Sequence, residues 1–185
     1  MKVILLSGWS GSGKDTTGII LERIANCSLL AFADVLKEMV AKEYGFPLFW
    51  AYSQQGKLRK VSNNKSIRDL LVQRGQEIRG EQGSGYFAKL VADKIKTLMN
   101  VKEPCSNIVI TDWRLPIELE TLKEELDLPI LKVRINRVDQ SKSPVKDSET
   151  ESQLDNWKFD CILYNTGVSL QELEKEVVKK LVPLL

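Results

Sequence analysis

Three glycines punctuate the stretch Gly8-Trp9-Ser10-Gly11-Ser12-Gly13-Lys14-Asp15. Glycines spaced in this way let successive backbone N–H groups turn toward one anion without side-chain clash. The apolar run Val3-Ile4-Leu5-Leu6 precedes the turn, and an amphipathic stretch from Thr16 to Ile24 follows it. Strand, glycine turn and helix in that order make the G-x-x-x-x-G-K spacing a phosphate-binding loop. The helix would add its unpaired leading amides and the positive end of its dipole, and Lys14 a mobile charge for outer phosphates. Asp15 stands where a Mg²⁺-binding Ser or Thr is usual. It is either an acid favoured by the helix dipole or a metal ligand in its own right, and Thr16 or Thr17 could supply the hydroxyl instead.

A second set surrounds Asp112, which ends the apolar run Asn107 to Thr111 as a Walker B acid does. Arg114 follows two residues on, Pro116 suits a first helical position, and Glu118 falls in the first turn. These charges are either helix-start acids with an arginine partner or a ligand and metal set at the carboxyl ends of parallel strands. Near 66–80, helical spacing puts Arg68, Val72, Gly75 and Arg79 on one stripe. Arg68 and Arg79 would clamp a phosphate across the gap at Gly75, or else form a solvated face beside a packing glycine. Asp34 caps a helix or, with Lys37, contacts an acceptor. Arg134 and Arg137 border a polar segment, as surface charges or as arginines meeting a transferring phosphoryl group, a role that Arg137 suits better. The four tryptophans read as packing residues, with Trp9 and Trp113 falling inside the proposed site.

Histidine is absent from the 185 residues. That removes the commonest general base and every Ser-His or Cys-His nucleophile, leaving Asp, Glu, Lys, Arg and a bound cation to do any chemistry. The net charge of +2, with no polybasic block, argues against nucleic-acid or membrane binding. Cys27, Cys105 and Cys161 lack metal-ligand spacing and read as reduced, buried thiols. The apolar start is far too short for a signal peptide, and no run approaches the ~20 residues of a membrane span. A cytoplasmic protein is expected.

These groups must be positioned by short apolar runs that alternate with helical periodicity, the pattern of an α/β fold with a parallel sheet. Strands are expected at 2–7, 29–33, 107–111, 130–135 and 160–164, and helices at 14–25, 35–44, 66–80, 85–99, 117–126 and 170–182. Residues 1–185 form one domain on this reading. It is interrupted by a mostly helical insert over about 45–100 and by a polar stretch over about 136–156, a lid or a surface loop.

The runs Gly8-Trp-Ser-Gly-Ser-Gly-Lys-Asp-Thr16, Phe32-Ala-Asp-Val-Leu-Lys37, Thr111-Asp-Trp-Arg-Leu-Pro-Ile-Glu118 and Asp160-Cys-Ile-Leu-Tyr-Asn-Thr-Gly167 together resemble the deoxynucleoside monophosphate kinases of phages and large DNA viruses. The resemblance runs in order over nearly the whole chain. It implies a three-layer α/β/α P-loop kinase fold with a five-stranded parallel sheet, a helical substrate-binding insert and a short lid. It further implies transfer of the ATP γ-phosphoryl group, with Mg²⁺, to a deoxynucleoside monophosphate, in host cytoplasm for a viral protein. By residue match, Gly11, Ser12, Gly13, Lys14, Asp15 and Thr16 would hold ATP phosphates, and Asn165 and Gly167 would lie near the adenine. Asp112, Arg114 and Glu118 would hold the acceptor, with Arg68 as the insert arginine and Arg137 as the arginine next to the lid. Family members often carry basic residues inside the glycine loop, where this chain has Ser10 and Gly11.

A phosphate acceptor fits the missing histidine. With a second pKa near 6 it is already mostly a dianion at pH 7 and needs no strong base. Lys14, Arg114 and Arg137 would then stabilise the transferring group. Phosphomevalonate kinase of the animal type, dephospho-coenzyme A kinase (with Asp34 as base) and a non-catalytic nucleotide-binding regulator are the competing readings. An exposed apolar face on the insert leaves room for a homodimer.

Overall fold

The structure, a computed structural model, describes residues 1–101, 105–138 and 152–185. Five strands form one parallel sheet: β1 (Val3–Ser7), β2 (Cys27–Leu30), β5 (Asn107–Ile110), β6 (Ile130–Arg137) and β7 (Cys161–Asn165), in the order β2-β5-β1-β6-β7. β1 lies at the centre, pairing Val3 with Ile108 on one side and with Ile130 on the other. Its five residues are all buried, as a central parallel strand covered on both faces requires.

Helices cover both faces, giving three layers. Alternate residues of β1 serve the two layers. Val3 and Leu5 meet Phe87, Val91 and Ile95 of α5 (Tyr86–Met99) and Leu119 and Leu122 of α6 (Pro116–Glu125). Ile4 and Leu6 meet Ile20 and Leu21 of α1 (Lys14–Ala25) and Leu173 and Val177 of α7 (Leu170–Lys180). Ser169 starts α7 by accepting the Glu172 N–H on its hydroxyl at 3.2 Å.

Helix α2 (Phe32–Tyr44) begins three residues earlier than its periodicity suggests, so β2 stops at Leu30 and does not reach Ala33. After α2 the chain forms a 3-10 turn (Leu48–Tyr52), the one-turn helix α3 (Gln54–Lys57), a hairpin of β3 (Lys60–Ser62) and β4 (Lys65–Ser66), and α4 (Ile67–Gln82). Asn63 and Asn64, both at positive φ, make the two-residue hairpin turn, which periodicity did not reveal. Val40, Phe46, Ala51, Ile67 and Leu70 give this insert a small core of its own. Helix α5, expected within the insert, packs on the sheet, because Phe87, Ala88, Val91, Ala92 and Ile95 form one apolar stripe. Most of the expected lid, residues 139–151, lies outside the described residues. No described helix is long and apolar enough to cross a membrane.

Candidate active site

The glycine loop joins β1 to α1. A Cβ on Gly8 would lie 2.5 Å from the Ile135 carbonyl, and one on Gly13 would lie 2.6 Å from Asn165 Nδ2. Gly11 and Gly13 also take positive φ, so the turn demands glycine on conformational grounds. The loop's carbonyls are held by side chains around it. Lys14 Nζ donates to Gly8 O at 2.7 Å and Trp9 O at 3.0 Å, Arg137 to Gly11 O at 3.1 Å, and Asn165 Nδ2 to Ser12 O at 2.9 Å. Asn165 Oδ1 accepts the Gly167 N–H at 2.9 Å, and Gly167 packs under the Arg137 guanidinium.

Helix α1 has no side-chain cap at Gly13. The hydroxyls of Ser12 and Thr17 are buried with no hydrogen-bond partner among the described residues. Uncapped helix amides, a loop with no room for a Cβ at Gly8 or Gly13 and orphaned hydroxyls fit a bound polyphosphate. Among the described residues no three His, Cys, Asp or Glu side chains gather to hold a metal alone. Exposed Asp15 and neighbouring Thr16, at the helix start, are the groups of the loop that could hold a divalent cation.

Beside the loop lies a cavity of about 400 Å³. Lys37, Lys57, Arg68, Arg79, Arg114, Asp112 and Glu118 supply its charge, and Phe32, Leu36, Leu71, Val72 and Phe87 its apolar walls. Of the acceptor residues expected from sequence, Asp34 alone does not line it. Asp34 stands at its margin, 2.9 Å from Lys37 Nζ, and Lys37 in turn lies 4.1 Å over the Tyr52 ring. Burial and the hydrogen-bonded Asp34 carboxylate push the Tyr52 phenol up to about 12.

Asp112 does its structural work at a distance of eighty residues. One carboxylate oxygen accepts the Phe32 N–H at 2.8 Å and the other the Ala33 N–H at 2.9 Å, which caps α2 and explains its early start. Burial pushes this carboxyl up, against the pull of those two amides and Arg114. Glu118 Oε2 accepts the amides of Arg114 at 3.0 Å and Leu115 at 2.9 Å, fixing the turn that carries Arg114. Burial moves the Glu118 carboxyl to about 7.

Packing decides three details that the sequence reading left open or misplaced. Trp113 does not face a ligand: it is fully buried, donates its indole N–H to Leu115 O at 2.9 Å, and packs edge-on against Trp157 and Phe159. The gap at Gly75 admits Leu36 of α2, whose Cδ2 would be 3.0 Å from a Cβ there, so this glycine lets two helices pack. Arg134 is neither a surface charge nor a phosphoryl ligand. It is buried, donating to Ser7 Oγ at 3.1 Å and pairing with Asp155 at 2.5 Å. Sequence reasoning also missed Lys57, whose short turn leaves no periodic signal.

No family model matches the chain. It is 32% identical over 142 residues to a shikimate kinase of Sulfurihydrogenibium sp. strain YO3AOP1, covering 76% of this chain and 78% of that relative. Two solved structures share the fold at low identity. TT1252 from Thermus thermophilus aligns with a TM-score of 0.51 at 16% identity, over 96% of this chain and 94% of the other. The dephospho-CoA kinase from Campylobacter jejuni aligns with a TM-score of 0.50 at 19% identity, over 97% and 95%.

Proposed function

The chain belongs to the shikimate-kinase-like family of P-loop kinases, and we propose that its acceptor is a deoxynucleoside 5′-monophosphate. The shikimate kinase relative supports the coarser reading, an ATP-dependent phosphotransferase acting on a small molecule. The single observation that carries the finer reading is the make-up of the cavity. Cations fit for a phosphate and the apolar walls Phe32, Leu36, Leu71 and Phe87, fit for a planar base, line one space of about 400 Å³ beside the glycine loop.

On this reading the loop from Gly11 to Thr16 cradles the donor phosphates, with Asn165 and Gly167 fixing its far side. Lys14 neutralises the outer donor phosphates, and Arg137 reaches the same place over Gly11. Arg68, Arg79 and Lys37 draw the acceptor into the cavity, and Arg114, held through its amide by Glu118, faces the transferred group. Asp15, with Asp112 behind it, would hold Mg²⁺, which when bound supplies charge neutralisation between the phosphates. Catalysis is then alignment of two anions plus electrostatic stabilisation, and no histidine is called for.

The likeness to shikimate kinase favours a second reading, in which the acceptor is a hydroxyl on a smaller carboxylated molecule. Such an acceptor needs a base, and Asp34 beside Lys37 at 2.9 Å is the group at hand. An ADP-release assay over deoxy- and ribonucleoside monophosphates, shikimate and dephospho-coenzyme A separates the two. Stimulation by a deoxynucleoside monophosphate is expected, falling at least ~10²-fold in Lys14→Ala and Arg114→Ala. Stimulation by shikimate alone would replace the first reading with the second.

A further inference from the structure

Lys57 enters the cavity from a short turn with little freedom. Ser53 starts the turn, accepting the Gly56 N–H on Oγ at 2.9 Å and the Lys57 N–H on its carbonyl at 3.0 Å. Gly56 is pressed against the preceding turn so closely that a Cβ would lie 2.2 Å from Trp50 O. Arg59 locks the exit, its guanidinium 4.3 Å over the Trp50 ring and its carbonyl accepting the Ile67 N–H at 3.0 Å. A flexible lysine loop would need none of this.

The ammonium so presented is half-buried and, among the described residues, has no hydrogen-bond or ion-pair partner. Burial and the charges of Lys37, Arg68 and Arg114 all disfavour its protonated form, and the Asp15 carboxylate of the glycine loop favours it. Those neighbours locate it between the acceptor cavity and the loop. A partly desolvated cation without a partner costs stability unless an anion completes it. The cavity's own carboxylates do not serve. Asp112 turns its two oxygens to α2 amides, Glu118 turns Oε2 to the Arg114 and Leu115 amides, Asp34 is paired with Lys37, and among the described residues none of the three forms an ion pair with Lys57. The loop from Gly8 to Thr16 contains one cation, Lys14, which is bonded to its own carbonyls.

We infer that Lys57 binds the acceptor's phosphate on the side facing the glycine loop, and that it selects a phosphate dianion over a carboxylate as the acceptor's anionic group. The inference rests on the kinase reading above but not on the acceptor being a nucleotide. A carboxylate brings one negative charge and two oxygens to Lys57 and Arg68, whereas a phosphate dianion brings two charges and three oxygens and can neutralise both.

The test is calorimetric titration of wild type, Lys57→Met and Lys57→Arg with the four deoxynucleoside 5′-monophosphates, the parent nucleosides, ribose 5-phosphate and shikimate. Thermal melting checks that each variant is folded, and Lys57→Gln, titrated alongside with the same expected loss, keeps the question answerable should Lys57→Met not fold. Phosphate-bearing ligands are expected to bind Lys57→Met at least about tenfold more weakly, with the parent nucleosides unaffected and Lys57→Arg within about threefold of wild type. Equal binding of monophosphates by wild type and Lys57→Met would overturn the inference and leave the nucleotide reading intact. Binding of ribose 5-phosphate but no nucleotide, lost in Lys57→Met, would uphold the inference and remove the nucleotide reading. Binding of shikimate and no phosphate ester would remove both.

Discussion

Asn165 at the end of β7 donates from Nδ2 to the Ser12 carbonyl at 2.9 Å, a buried bond between the edge strand and the glycine loop. The absence of a side chain at Gly13 makes room for it, since a Cβ there would stand 2.6 Å from the same nitrogen. The other end of the amide accepts the Gly167 N–H at 2.9 Å. One side chain thus sets both the curvature of the phosphate loop and the turn that leads into α7. The loop is held by tertiary contacts as much as by its own glycines.

Asn165→Asp tests that arrangement at almost constant volume. The donor facing Ser12 O becomes a carboxylate oxygen, so a buried bond is replaced by two facing acceptors. A loss of about 1–3 kcal/mol in urea unfolding is expected. Nucleotide titration should show ATP binding weakened by at least about tenfold, through a loop no longer held in shape. Unchanged ATP affinity with reduced stability would mean that the loop keeps its form without Asn165.

Asp112 lends itself to a different separation, because its two oxygens already serve as the cap of α2. Asp112→Asn keeps one acceptor and turns an N–H₂ group toward the amide of Phe32 or Ala33. Stability should fall by about 1–3 kcal/mol, with faster hydrogen exchange at those two amides. If Asp112 also stands behind Mg²⁺, the Mg²⁺ concentration giving half-maximal turnover rises as well. A stability loss with an unaltered Mg²⁺ dependence would confine this residue to its capping role.

The same contacts mark where sequence reading reached and where it stopped. The parallel sheet, the glycine loop and the helix starts at Lys14, Pro116 and Leu170 are local patterns, and each was legible. So was the gathering of Arg68, Arg79, Asp112, Arg114 and Glu118, since strand ends and one helix stripe fixed their general place. The start of α2 was not, because its cap comes from Asp112, eighty residues on. Arg134 was not, because its partners Ser7 and Asp155 are brought to it by the sheet. Lys57 was hidden for a third reason. Its position depends on Gly56 pressing against Trp50, and a four-residue helix has no periodicity to read.

Glu118 carries the last prediction, in the pH dependence of folding. Burial raises its carboxyl from the ordinary 4.5 to about 7, so between those values the folded chain holds a proton that the unfolded chain has released. Stability therefore falls as pH rises through that window, is greatest below it, and levels off above pH 7. The span corresponds to at most about 3 kcal/mol. Glu118→Gln should remove this slope at little structural cost. One oxygen, Oε2, accepts both the Arg114 and Leu115 amides, and a glutamine carbonyl can take its place. In urea unfolding at pH 5, 6, 7 and 8, the variant should gain on wild type steadily from pH 5 to 7 and hold that gain at pH 8. Parallel stability curves for the two proteins across the whole range would show that Glu118 remains ionised in its buried turn.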